Sequence, residues 1–241
     1  DVLNIEPQAQ AFAAQTGIET RVELEAEPGI PFARNHVLDM ALRAGCDYMT
    51  FIDDDETVDE DWLVRMLEGV RSRDLELAGG PVFYSGPPGV PLTMQQQAVI
   101  DRLQYEAAKT RRKRDATVGT AKERDVAIYT NNWILSLAAQ RRYDIWFDPE
   151  LRYSGGEDTM FYQQFAAAGG KTGWVPDAKV REVRPTSRLT IRYTYERMRD
   201  QEVTRMQRLQ KSIGWGALAR LALKTVLRCL FLVLAAPFTR L

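Results

Sequence analysis

A chain of 241 residues, of which 45% are hydrophobic and 27% charged, is long enough for one α/β domain with a sizeable core. These values exclude general disorder and a polytopic membrane protein. The 32 basic and 33 acidic residues give a formal net charge of -1, so the total charge offers no case for binding nucleic acid. Two distant cysteines, Cys46 and Cys229, predict a reducing compartment without a disulfide framework. The single histidine, His36, argues against histidine-based zinc sites and a Ser-His-Asp triad.

The first part of the chain is predicted to contain two helices and a strand. It begins without a methionine or a signal peptide, so we expect that an upstream segment precedes it. We expect a helix at about 7–16, a strand at 19–24 and, after a Pro/Gly loop, a helix at about 33–44. Arg34 and Asn35 lie in the first turn of that second helix. A helix N-terminus with a guanidinium suits an anion, and a solvated arginine is the alternative.

The most informative stretch is FIDDDE, residues 51–56, at the end of a predicted strand at 48–52. The apolar and β-branched residues of this strand are typical of a strand that is covered on both faces of an α/β sheet. Asp53, Asp54 and Asp55 follow at the edge where such sheets bind ligands. Three adjacent carboxylates repel one another, so they are either solvated or held by a cation such as Mg²⁺ or Mn²⁺. The alternative is an acid-rich start of the next predicted helix, at 60–72.

The middle of the chain contains a basic run and a polar turn beside an indole. We expect a glycine-broken strand at 75–84, a helix at about 93–109 and a strand at 126–129. The basic run at 109–114 has no apolar period and is predicted to be a solvated, mobile loop, with attraction to a lipid or a diphosphate as the alternative. Asn131, Asn132 and Trp133 follow the last strand, where amides beside an indole suit sugar recognition or form an ordinary turn.

A second set of acids follows two glycines in the stretch YSGGEDTMFY, residues 153–162. Gly155 and Gly156 allow a positive φ or a close backbone approach. Glu157 and Asp158 then stand in the first turn of a predicted helix, where acids are also favoured as partners of the helix dipole. Together with the upstream aspartates they indicate that one carboxylate set holds a metal while another acts as general base.

The ordered recurrence of these motifs resembles the family 2 glycosyltransferases, which have the GT-A fold and invert configuration. The resemblance covers about residues 28–201. It rests on PFARN, FIDDDE, TNN, FDPEL followed by GGEDT, and VREVRPTSRLTIRYTYERMR, in the family's order. It implies that residues 1–212 form a Rossmann-like α/β catalytic domain with a mixed sheet flanked by helices, without the family's first strand.

The resemblance also implies roles for particular residues. Asp55 would be the main ligand of a divalent cation, Mn²⁺ or Mg²⁺, and Asp53 would contact the metal or the nucleotide. Asp158 would be the catalytic base, assisted by Glu157. The nucleotide-sugar would contact Arg34, Asn35, Asp53, Asp54, Arg184 and Arg188. Many family members have a histidine where this chain has residues 181–184, and Arg184 or Arg188 would take over its contact with the diphosphate. The acceptor is predicted, from the residue types alone, to contact Asn131, Asn132 and Trp133.

The C-terminal segment is apolar with regularly spaced basic residues. Arg220, Lys224 and Arg228 recur at every fourth residue, and the uninterrupted apolar run at 229–237 is shorter than the roughly 20 residues that span a bilayer. We therefore expect residues 213–241 to form an amphipathic helix on a membrane surface. The alternatives are a helix packed on the catalytic domain and part of a longer membrane region.

The sequence thus predicts an inverting, metal-dependent glycosyltransferase. It would transfer a sugar from a nucleotide-diphospho-sugar to a hydroxyl of a glycan or lipid-linked acceptor, in the cytoplasm at the inner face of the cell membrane, with no nucleic acid partner. Two alternatives remain. One is a nucleotidyltransferase of similar fold, which would release pyrophosphate. The other is a catalytically inactive sugar-binding or scaffold protein derived from such a transferase.

Overall fold

The computed structural model describes residues 5–152 and 155–212, together with Gly216, Arg220 and Leu223. Its helices are α1 (Glu6–Thr16), α2 (Ile30–Arg43), α3 (Trp62–Arg73), α4 (Met94–Asp115), α5 (Leu137–Tyr143), α6 (Glu157–Ala167) and α7 (Ile191–Ser212). Its strands are β1 (Tyr48–Phe51), β2 (Glu56–Val58), β3 (Leu77–Gly79), β4 (Val82–Ser85), β5 (Trp133–Ser136), β6 (Thr172–Trp174) and β7 (Val180–Val183).

The described strands form two mixed sheets. The first has the order β1-β5-β3-β6, in which β5 is antiparallel to both β1 and β3, and β6 is parallel to β3. The second has the order β2-β7-β4, in which β2 is antiparallel and β4 parallel to β7. The predicted mixed α/β architecture is confirmed.

The first sheet is covered on both faces, and successive side chains of its strands point alternately into two cores. Trp133 and Leu135 of β5 lie in one core with Phe161 of α6, whereas Ile134 lies in a second core with Met66 of α3. The Trp133 and Phe161 rings pack edge to face, with their centroids 5.1 Å apart. Burial of each large apolar side chain contributes about 1.5–3 kcal/mol. The two cores therefore hold the ends of β1 and β5 in place.

Two predicted strands are wrong. Residues 126–129 are irregular, and β5 begins only at Trp133, after the 3-10 turn Thr130–Asn132. Val126 and Ile128 are nevertheless buried, so their apolar character reflects burial against neighbouring elements rather than strand pairing. Residues 19–24 are also irregular and mostly exposed.

The basic run at 109–114 forms the last turns of α4 instead of the predicted mobile loop. Arginine and lysine are good helix formers, so nothing in this run opposes the helix. The Arg111 guanidinium lies 4.8 Å from the ring centroid of Phe83, and that of Arg114 lies 4.8 Å from a ring of Trp174. Such cation–π contacts hold the last turns of α4 against the neighbouring aromatic rings.

The glycine-broken strand predicted at 75–84 divides into β3 of the first sheet and β4 of the second. At the division the Gly80 N–H donates to the Asn132 carbonyl oxygen at 3.0 Å. A Cβ at Gly80 would stand 2.6 Å from Asn132 Nδ2, so a side chain at this position would collide with its neighbour. Glycine therefore permits the close passage of the chain from one sheet to the other.

The amphipathic helix predicted at 213–241 lies outside the described residues, apart from three single positions. In the part of the chain that the structure describes, no helix is both long enough and apolar enough to cross a bilayer.

Candidate active site

Asp53, Asp54 and Asp55 form a turn between β1 and β2, which we call the aspartate turn. Glu56 closes it: its Oε2 accepts a hydrogen bond from Asp53 N at 3.0 Å, while its own N–H donates to the Asp53 carbonyl at 3.1 Å. Asp53 and Asp54 are exposed and Asp55 is partly buried. The carboxylates therefore stand at the end of β1, where the sequence placed them.

Arg34 of α2 ties the aspartate turn to the second set of acids. Its guanidinium lies 5.8 Å from the ring centroid of Phe51 and 5.7 Å from that of Phe147. Its Nη1 is 2.5 Å from Glu157 Oε1, and the two side chains are 15% and 7% exposed. Partial loss of hydration beside the protein raises the pKa of the Asp53 carboxyl, and the positive charge of Arg34 opposes this rise. Arg34 therefore interacts with both acid sets.

Glu157 and Asp158 begin α6 directly after two glycines with φ of 69° and 82°, at Gly155 and Gly156. Such positive φ angles favour glycine, as the sequence predicted. Glu157 is 5% exposed, and its Oε2 has no hydrogen-bond partner among the described residues. Asp158 is partly exposed, and its Oδ1 accepts from Thr159 N at 2.6 Å. The two acids thus differ in access to solvent.

The two acid sets share one electrostatic environment. Partial loss of hydration is the main cause of the raised pKa of Asp53, and the negative charges of Asp55, Asp54 and Asp158 raise it further. Charges influence one another in this way only at short range, because solvent screens distant pairs. Arg34 packs against Phe51, the last residue of β1, and pairs with Glu157, the first residue of α6, so the fold brings these two ends together.

Two buried acids beside this site were missed in the sequence. Glu56 and Glu182 are 9% and 6% exposed and lie opposite each other on β2 and β7. Burial raises the pKa of Glu56 to about 7, and the charges of Asp53 and Glu182 also raise it. Burial likewise raises the pKa of Glu182, against the opposing charge of Arg184. The alternation of side chains along a strand could have predicted the burial of Glu182, since it places Glu182 on the face opposite Arg181.

Arg184 and Arg188, predicted to bind the donor, both lie at this site, and each is paired with a carboxylate. Arg184 Nε is 2.7 Å from Glu182 Oε1, and the side chain of Arg184 is 13% exposed. Arg188 Nη1 is 3.0 Å from Asp55 Oδ2, and its side chain is 42% exposed. Arg188 is therefore the more accessible guanidinium for an anionic ligand.

Asn35 is hydrogen-bonded to the backbone of Phe147. Its Nδ2 donates to the Phe147 carbonyl oxygen at 2.8 Å, and its Oδ1 accepts from Phe147 N at 2.9 Å. This pair of hydrogen bonds joins α2 to the segment that precedes α6. Asn35 is partly exposed and keeps one amide N–H outside this pair, so its nucleotide contact stays a prediction.

The predicted acceptor contacts of Asn132 and Trp133 are wrong, because both residues are 1% exposed. Trp133 lies in the first core. The Asn132 side chain accepts from Trp62 Nε1 at 3.0 Å and donates to the carbonyls of Pro81 at 3.0 Å and Ala178 at 2.8 Å. Both of its N–H groups are therefore used inside the protein. Asn131 is partly exposed, so its acceptor contact stays a prediction.

The residues of the aspartate turn fit a cation that is shared with a phosphate. Across the described residues, no three His, Cys, Asp or Glu side chains group as a complete metal site. Mg²⁺ is usually held by one or two carboxylates together with substrate phosphates and water. Asp53 and Asp55 supply two carboxylates on one turn, and the repulsion that raises the pKa of Asp53 would be relieved by a positive charge.

The chain is 33% identical over 168 residues to the succinoglycan biosynthesis protein ExoM of Rhizobium meliloti (strain 1021), a match that covers 70% of this chain and 49% of ExoM. Its fold is similar to that of S. aureus TarS 1-349, whose crystal structure was determined in complex with UDP-GlcNAc. That likeness has a TM-score of 0.50 at 13% sequence identity and covers 76% of this chain and 47% of TarS 1-349. No family model matches the chain.

The chain thus spans about half the length of each of these two proteins, 49% of ExoM and 47% of TarS 1-349. At 13% identity, the likeness to TarS concerns the fold alone. The relationship to ExoM is one of sequence, and the mixed sheets and the shared site of two acid sets agree with the ordered motifs. The chain is thus similar in sequence to a succinoglycan biosynthesis protein and similar in fold to TarS 1-349.

Proposed function

We propose that this protein acts in polysaccharide biosynthesis and transfers a sugar from a nucleotide-diphospho-sugar with inversion of configuration. The observation that carries the proposal is the meeting of the aspartate turn and the start of α6 at one site, with Arg34 between them. The comparisons support it, because ExoM is a succinoglycan biosynthesis protein and TarS was crystallised with UDP-GlcNAc.

In this proposal Asp158 is the general base. Its carboxylate is partly exposed at the start of α6, so an acceptor hydroxyl can approach it. As Asp158 takes the hydroxyl proton, the acceptor oxygen bonds to the anomeric carbon, and the bond from that carbon to the diphosphate breaks. Attack opposite the leaving group inverts the anomeric centre, so no covalent glycosyl-enzyme is needed.

Glu157 and Arg34 position the base in this proposal. The ion pair between them is almost buried, and the guanidinium packs against the rings of Phe51 and Phe147. Because Glu157 immediately precedes Asp158, this pair sets where the first turn of α6 lies relative to β1. The rate of transfer depends strongly on the distance between the base and the donor, because a small displacement of either group slows the reaction.

The donor diphosphate is proposed to lie over the aspartate turn. A divalent cation held by Asp53 and Asp55, Mn²⁺ or Mg²⁺, would supply neutralisation of the leaving diphosphate. Asp54 is exposed beside them and is proposed to contact the nucleotide. Arg188 reaches the same turn and is proposed to donate hydrogen bonds to phosphate oxygens.

The acceptor is proposed to be a glycan or a lipid-linked sugar at the inner face of the cell membrane. The composition of residues 213–241, apolar with Arg220, Lys224 and Arg228, supports a peripheral location there. Sedimentation of the full-length protein with vesicles tests this location. We expect the protein to sediment with vesicles that contain anionic lipid, to remain in the supernatant with neutral vesicles, and to bind less as salt is added. Equal recovery in the supernatant with anionic and with neutral vesicles would contradict this location.

Release of nucleoside diphosphate tests the catalytic proposal. We would incubate the full-length protein with UDP- and GDP-sugars and membrane-derived acceptor, with Mn²⁺ or with a chelator. Turnover is expected only with the cation, and Asp158→Asn is expected to reduce it by about 10²–10⁴-fold while calorimetry shows retained nucleotide binding.

The matched control is Asp61→Asn, because Asp61 is an exposed acid that precedes the helix α3. This variant is expected to keep wild-type turnover. Release of pyrophosphate in place of nucleoside diphosphate would instead identify a nucleotidyltransferase. Equal activity of wild type and Asp158→Asn would refute the assigned base.

A further inference from the structure

Asp55 is both a proposed cation ligand and the partner of a guanidinium. Arg188 Nη1 lies 3.0 Å from Asp55 Oδ2, and the two side chains are 42% and 29% exposed. Val183 N donates to the Asp55 carbonyl oxygen at 3.1 Å, so the backbone of the aspartate turn is held to the end of β7. A cation at this carboxylate would therefore lie close to the guanidinium. Two positive charges at such a distance repel each other in a partly buried site.

The backbone that carries Arg188 is anchored, whereas its side chain is partly exposed. Arg188 ends the 3-10 turn Thr186–Arg188, and the next residue, Leu189, is fully buried. Gln96 Nε2 also donates to the Thr186 carbonyl oxygen at 3.4 Å, which ties the turn to α4. The long, partly exposed side chain can thus exchange one anionic partner for another without moving the chain.

The charges around Asp55 favour such an exchange. The carboxylates of Asp53, Asp55, Glu56 and Glu182 influence one another, and the guanidiniums of Arg184 and Arg188 lie among them. Arg184 is held by Glu182 and is only 13% exposed. Arg188 is therefore the guanidinium that can leave its carboxylate partner and contact an anionic ligand when a cation binds.

We propose that Arg188 couples cation binding to donor binding. It competes with the divalent cation for Asp55 and moves to the phosphate oxygens when the cation and a nucleoside diphosphate bind together. The cation alone then binds weakly, and the cation and the nucleotide strengthen each other's binding by the same factor. This inference rests on the proposed function, since it takes the diphosphate as the second partner of Arg188.

Mn²⁺ binding to the full-length protein, measured by the paramagnetic resonance of free Mn²⁺, tests the coupling. The titration is run alone and with UDP or GDP, for wild type and Arg188→Gln. The variant is expected to bind Mn²⁺ alone about three- to tenfold more tightly, because an exposed ion pair no longer occupies Asp55. It is expected to bind the nucleotide with Mn²⁺ at least about tenfold more weakly, because a charge-assisted hydrogen bond is lost. A variant with a damaged fold would weaken both.

Arg181→Gln is the matched control. Arg181 Nη2 is 3.1 Å from Asp59 Oδ1, and these side chains are 56% and 32% exposed, compared with 42% and 29% for Arg188 and Asp55. This variant removes another Arg–Asp pair, on the face of β7 opposite Glu182, and is expected to change neither affinity. Asp55→Asn is expected to abolish the tighter Mn²⁺ binding of Arg188→Gln.

Unchanged or weaker binding of Mn²⁺ alone by Arg188→Gln would overturn the inference. Tighter Mn²⁺ binding with unchanged nucleotide affinity would overturn the transfer of Arg188 to the diphosphate. If neither UDP nor GDP binds wild type while Mn²⁺ alone still binds more tightly to Arg188→Gln, competition at Asp55 is supported, and the donor assignment of the proposed function is what fails.

Discussion

Replacement of Asn132 by alanine is expected to destabilise the protein without a specific effect on the acceptor. The Asn132 amide joins Trp62 Nε1 to the carbonyls of Pro81 and Ala178 through hydrogen bonds of 2.8–3.0 Å, in a position that is 1% exposed. A buried hydrogen bond contributes about 1 kcal/mol net, and each buried group left unpaired costs about 1–3 kcal/mol. Since three groups lose their partner, Asn132→Ala should cost about 3–5 kcal/mol of unfolding free energy.

Urea unfolding followed by far-UV circular dichroism measures this cost. Asn131→Ala is the control, because Asn131 is partly exposed and its loss should cost less than about 0.5 kcal/mol. Trp62→Phe keeps an aromatic ring and removes one donor, so Asn132→Ala should cost less in its background than in wild type. A loss below about 1 kcal/mol, or a raised KM for the acceptor at unchanged stability, would refute the structural role.

Two further predictions concern ion pairs. Arg34→Met or Glu157→Gln should each cost about 3–5 kcal/mol, because each leaves a nearly buried charge unpaired, and the double variant should cost much less than the sum, as a urea double-mutant cycle would show. Additive costs would contradict the pair. Hydrogen bonds that protonated His36 donates to the carboxylates of Glu23 and Glu25 raise its pKa above 6.5. The stabilising contribution of these bonds is therefore present below pH 6.5 and is lost as pH rises through the folded-state pKa. The single imidazole resonance should titrate above pH 6.5 in wild type and lower in Glu23→Gln, and a wild-type midpoint at or below 6.5 would contradict it.

Local patterns predicted the elements that carry the acids. The apolar run before Asp53 became β1, and the two glycines before Glu157 adopt the positive φ that glycine permits. The same approach failed where apolar residues are buried without pairing, as at Ile128, and where basic residues continue a helix, as at Arg111. A short apolar run has the same appearance whether it is buried beside a sheet or within one.

The sequence by itself determined the α/β class, the order of the motifs and the acids at the end of β1 and the start of α6, because these depend on residue types and spacings over short stretches. Only the tertiary structure decided the partners of the polar side chains. Arg34 meets Glu157 across 123 positions, Arg188 meets Asp55 across 133, and Asn132 meets Trp62 across 70. A polar group in a partly buried site takes whichever partner the packed elements bring within hydrogen-bond distance, and no local pattern specifies that partner.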